Sequence, residues 1–159
     1  MKRLALLVVT FATLIAGVGI PGAADKAQED LLKKEWAKLK GTWRPVSTEA
    51  NGKKTPENIL KDNPSQIVIE EGRITGSLKD KETYQGTLTI DPTQTPKTLD
   101  IAVTSGDYKG KKSLGIYELD GDTLKLCWTF FIVDRDRPKT FATETGANLI
   151  LTVYQRVKK

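Results

Sequence analysis

The chain has 159 residues, a formal net charge of +5, no histidine and a single cysteine. The missing histidine removes serine–histidine and cysteine–histidine nucleophile systems, most zinc sites and the usual general base, so an enzyme would have to work with carboxylates, Lys, Tyr or Arg. One thiol excludes an intramolecular disulfide, and no basic run is interleaved with aromatics, which argues against nucleic acid as a partner.

Met1-Lys2-Arg3 is a basic start, Leu4 to Ile20 is apolar, and Gly22-Ala23-Ala24 is a small-residue cleavage pattern followed by polar sequence. Residues 1–24 therefore read as a signal peptide cut after Ala24, which implies export to the periplasm or the extracellular space. The rival is an uncleaved anchor helix. The apolar run is short for a span and is interrupted by Gly17 and Gly19, so no stable membrane insertion is expected after cleavage. No cysteine near the cut offers a site for a lipid anchor. Cleavage takes the charge from +5 to +3, because Lys2 and Arg3 leave. Residues 25–159 then form one domain, long enough for a real core.

Residues 27–40 predict a helix, with Leu32, Trp36 and Leu39 on one stripe that packs on a sheet or plugs a barrel end. Gly41 ends it, and strands follow over residues 42–157. Thr42 to Glu49 is the first, closed by an Asn51-Gly52 turn. Thr55 to Ser65 is irregular, punctuated by Pro56 and Pro64, with one short helical turn near Asn58 to Lys61. Gln66 to Glu70 and Arg73 to Leu78 form a hairpin across Glu71-Gly72. Thr83 to Asp91 alternates, with Tyr84, Leu88 and Ile90 on one face; Lys97 to Thr104 does the same with Leu99, Ile101 and Val103. Ser113 to Phe131 reads as the central hairpin, its two-residue type I′ turn assigned to Asp120-Gly121, residues that tolerate positive φ. Asp134 to Ala147 is a polar loop interrupted by Phe141, and Asn148 to Val157 is the last strand. About eight short antiparallel strands at regular spacing predict an all-β barrel or sandwich.

Gly41-Thr42-Trp43 before a strand resembles the Gly-x-Trp opening of lipocalin and calycin barrels. That resemblance implies that Arg156, in the last strand, packs over Trp43 and closes the barrel base through a cation–π stack. A wider set of blocks resembles a family of secreted lipocalin-like domains known mainly from planctomycete bacteria. These blocks are Gly41-Thr42-Trp43, Pro96-Lys97 with Asp100, Gly115 to Leu124 with Cys127, and Arg137-Pro138 with Phe141. The resemblance implies an eight-stranded lipocalin-like barrel and export, and carries no activity, substrate or catalytic residue.

Alternation places Trp43, Tyr84, Leu88, Leu99, Ile101, Tyr117, Leu126, Trp128 and Leu151 inward. An eight-stranded barrel is just wide enough to be filled by side chains or to hold one small ligand, and both outcomes use these residue types. In the leading reading Trp43, Tyr84, Tyr117 and Trp128 line a site for a small apolar or amphipathic ligand, with Arg137 as its polar determinant; Phe141, Phe130 and Phe131 either rim the mouth or equally cap a dry core. The rival for Arg137 is a salt bridge to Asp134 or Asp136, and the rival for the whole is a filled-core interaction module of the cell envelope with an apolar patch near Phe130 to Val133. Gly41, Trp43, Arg156, Asp120 and Gly121 are read as structural, Asp100 as an ion-pair residue, and Cys127 as a packed thiol rather than a reactive one. Asp120 and Asp122 lack the ligand spacing of a calcium loop, so no metal and no cofactor is expected. A carboxylate hydrolase would need two acids inside the barrel, and the alternation places almost none there.

Overall fold

The computed structural model describes residues 22–131 and 136–158. The expected signal sequence (apart from its last residues), Val133 and Asp134 fall outside them. Helix α1 (Ala23–Leu39) leads into strand β1 (Gly41–Ala50). Then come β2 (Lys53–Lys54), α2 (Glu57–Asp62), β3 (Ser65–Glu70), β4 (Arg73–Leu78), β5 (Lys81–Asp91), β6 (Lys97–Gly106), β7 (Lys112–Asp120), β8 (Thr123–Thr129) and β9 (Leu149–Arg156). All pairings are antiparallel between sequence neighbours from β3 to β9, and β1 pairs with both β3 and β9. The result is a closed eight-stranded barrel of β1 and β3 to β9, with β2 as an extra strand on β1. Closure leaves no long free edge for aberrant pairing.

The core follows from the two-residue period. On β5, Tyr84, Gly86, Leu88 and Ile90 are buried while Thr87 and Thr89 are exposed. Opposite them on β6, Leu99, Ile101 and Val103 are buried. The C-terminal half of α1 caps one end, burying Trp36 and Leu39 against the barrel interior. We call that end the base.

At the base, Trp43 is completely buried and its indole N–H donates to Leu39 O at 2.9 Å. Arg156 pairs with Trp43 in register and its guanidinium lies 4.0 Å from the ring centroid. Gly41 (φ +144°) is required there, because a side-chain carbon at this position would sit 2.7 Å from Arg156 Nη1. The glycine and the tryptophan of the Gly-x-Trp start thus serve the same arginine.

Three expectations change. Asp120 pairs with Thr123, so the two-residue loop is Gly121-Asp122, with positive φ at Gly121 and not at Asp122. That is the pattern of a type II′ turn, one residue on from the expected type I′ turn, because glycine takes the first loop position. Leu151 faces outward: it pairs with Cys127, while Thr152 pairs with the inward Leu126. The outer face here is covered as well. The segment 136–148 lies across it, tied down where Thr143 donates to Glu49 Oε1 at 2.5 Å and accepts the Gly52 N–H at 2.9 Å. Cys127 and Ile116, on that outer face, are buried, and burial pushes the Cys127 thiol above its ordinary pKa. Finally, α1 starts before residue 27, with the Asp25 carboxylate accepting the Gly22 N–H at its first turn. No described helix is long and apolar enough to cross a membrane.

Candidate functional site

The barrel interior divides into two halves. Toward the base it is filled: among Leu39, Ile69, Ile74, Leu88, Ile101 and Leu126 only about 10 Å³ remains open. Toward the other end the side chains part around a cup of about 280 Å³. Tyr84, Tyr108, Trp128, Phe130, Phe131 and Tyr154 line it, with Ile67, Gly76 and Leu78 and the uncharged polar Ser65, Gln66, Ser77 and Thr83.

Local register builds this cup. Gly76 on β4 faces Tyr84 on β5, and any side chain at 76 would overlap the Tyr84 ring. The glycine lets the ring lie against the backbone instead of filling the barrel. Gly115 on β7 pairs with Trp128 on β8, where an added side-chain carbon would crowd the Cys127 carbonyl at 3.0 Å and the Trp128 Cβ at 3.1 Å. Phe131, just past β8, then stands among three rings: centroids are 5.1 Å from Tyr84, 5.4 Å from Trp128 and 5.3 Å from Tyr108. The first two contacts are edge-to-face, the favourable arrangement of the ring quadrupoles.

No charged side chain lines the cup among the described residues. Two of its aromatic polar atoms, Tyr84 Oη and Trp128 Nε1, are buried with no hydrogen-bond partner among the described residues. Burial pushes the Tyr84 phenol far above its ordinary pKa, with Tyr154 nearby adding to the shift, so it stays protonated as a donor at neutral pH.

The remaining expected site residues lie elsewhere. Trp43 is sealed at the base beneath Arg156. Tyr117 is at the base too, where its hydroxyl donates to Glu35 Oε1 at 3.2 Å. Phe141 lies in the covering segment, with the Lys125 ammonium 4.7 Å from its ring centroid. Arg137 does not line the cup, and its donors are engaged within the fold. Its Nη1 donates to Leu99 O at 2.9 Å and Gly115 O at 2.7 Å, and its Nη2 meets Asp100 Oδ1 at 2.6 Å. Its acid partner is therefore Asp100 on β6. Asp122 is likewise occupied, by Arg156 at 3.0 Å and Lys158 at 3.5 Å. Among the described residues no three acidic or cysteine side chains gather as a metal site would need.

Two features escaped the sequence reading. Tyr108, in the β6–β7 connection, reaches the cup from a stretch with no strand pattern. Glu35, only 2% exposed, accepts from Lys97 Nζ at 2.5 Å inside the base. It sits three residues after Leu32 and four before Leu39, a stripe position that its charge disguised. Beside this ion pair a second depression, about 470 Å³, brings the expected site residues Tyr117 and Phe141 together with the 92–96 turn, Lys97, Glu118 and Leu119. Its one cation is already paired with Glu35, so the cup is the better-formed site.

No protein-family model matches the chain, and comparison with proteins of curated function finds no match.

Proposed function

We propose that the protein is an exported, non-enzymatic carrier of the lipocalin type, akin to the secreted lipocalin-like domains it resembles, which holds one small, mostly apolar molecule in the cup. The observation that carries this reading is the half-filled barrel: a packed base for stability and an aromatic-walled concavity at the other end. Small-molecule sites have this form, a largely apolar recess with few polar groups to fix orientation. The reaction machinery of an enzyme has no counterpart among the described residues of the cup, whose lining is uncharged. The partner is thus a small molecule rather than nucleic acid or a membrane core.

The test is native mass spectrometry of the protein purified from its own host. Stoichiometric release of a small molecule on denaturation, with Asp25 as the N-terminal residue of the exported form, is the expected result. A bare mass, combined with unchanged tryptophan emission across a panel of apolar probes, would favour the filled-core interaction module and move the search to protein partners.

A further inference from the structure

The two unpartnered polar atoms of the cup define what it holds; this step rests on the reading of the cup as a ligand site. A buried donor without a partner is destabilising, and native proteins carry few of them. Here two belong to side chains that line the same small recess, each covered in the structure. An indole N–H can only donate, so the partner of Trp128 Nε1 has to be an acceptor. The neutral Tyr84 hydroxyl can donate to the same atom or a neighbouring one.

Charge and size narrow the class further. An ionised group entering the cup would lose its water without meeting a countercharge, since the described lining has none. The volume of about 280 Å³ sits at the small end of ligand pockets, which run from roughly 300 to 1,000 Å³. Six of the thirteen lining residues are aromatic, and their ring faces and edges favour a flat, polarisable guest. We propose that the cup selects a neutral, flat, conjugated molecule of one or two rings bearing an accepting oxygen, bound by Trp128 Nε1–H and Tyr84 O–H. Phe131, packed edge-to-face on both rings, is the side chain that gives way as that oxygen arrives.

Three probes of one shape test this by isothermal titration calorimetry on the exported protein: 2-acetylnaphthalene, 2-isopropylnaphthalene and 2-naphthoate. The ketone is expected to bind about tenfold more tightly than the hydrocarbon, the worth of a buried hydrogen bond, and the anion most weakly. Tyr84→Phe and Trp128→Phe should each weaken the ketone while holding the hydrocarbon within about twofold; Tyr84→Phe keeps the ring in place and guards against a folding defect. Equal affinities for ketone and hydrocarbon, or tightest binding of naphthoate, would overturn the acceptor-oxygen inference and leave the cup standing as a ligand site. Binding of none of the three, with the unfolding transition intact, would overturn the cup itself.

Discussion

Arg156 lies over the indole of Trp43, its guanidinium carbon 4.0 Å from the ring centroid, and from that position it ties three elements together. Its Nη1 and Nη2 donate to the carbonyls of Lys40 and Lys38 at the end of α1, at 2.6 and 2.5 Å, and its Nε donates to Asp122 in the β7–β8 turn at 3.0 Å. One planar fork thus holds helix, first strand and central hairpin. A lysine has the charge without the fork. Arg156→Lys is expected to lower stability by about 1–3 kcal/mol in urea unfolding at an unchanged slope, the cost of leaving helix-end carbonyls without donors. A loss under about 0.5 kcal/mol would mean that water replaces the fork and that the stack is ornamental.

The base holds a second polar device, the buried Glu35 with Lys97 and the Tyr117 hydroxyl. Removing one member of a buried pair strands the other, whereas removing both can cost little. Lys97 retains some contact with water, its side chain being 35% exposed, which limits the damage. Glu35→Leu should therefore cost about 2 kcal/mol, and Glu35→Leu with Lys97→Met should recover at least half of that in chemical denaturation. Additive losses in the double variant would show that the two side chains are not coupled.

How much of this was legible in the sequence differs element by element. The barrel was, because β5 and β6 alternate cleanly and the Gly-x-Trp start implied the Arg156 stack. The last strand was not fully legible: Ile150, Leu151, Val153 and Tyr154 leave no polar face to set the inward side, since the segment 136–148 covers the outside. Nor could the position of the cup be read. It depends on glycines facing aromatics across strands, Gly76 opposite Tyr84 and Gly115 opposite Trp128, and on a tyrosine arriving from a loop. Arg137 and Phe141 had the right chemistry for a mouth, but sequence alone does not say on which side of the barrel wall a loop residue falls.

The tyrosines make stability depend on alkaline pH. Burial pushes Tyr154 up to about 12 from an ordinary value of 10.0, and it pushes Tyr84 and Tyr117 higher, the last aided by the Glu35 carboxylate. Between pH 10 and 12 the unfolded chain has released these protons and the folded chain still holds them. The folded state then binds more protons, so stability is complete below about pH 10 and falls as pH rises through the folded values. Stability from urea unfolding, measured from pH 9 to 11.5, should be level at first and then decline, by on the order of 2 kcal/mol for each of the three raised tyrosines. Tyrosinate absorbance should appear together with unfolding. Free ionisation of Tyr84, Tyr117 and Tyr154 near pH 10 in the folded protein would contradict their burial.

Arg137 separates wall from ligand site. With its donors on Leu99 O, Gly115 O and Asp100, it clamps the β6–β7 pair from outside those two strands. Arg137→Gln removes the charge and most of these donors, so stability should fall by about 1–3 kcal/mol. The affinity of the cup for 2-acetylnaphthalene should stay within about twofold, since the residue does not line it. The two readouts answer different questions. A stability loss with unchanged binding fits a clamp that is remote from the ligand. A large fall in affinity at unchanged stability would instead place the ligand against Arg137, on the outside of the barrel, and the aromatic cup would then be only the unfilled end of a core.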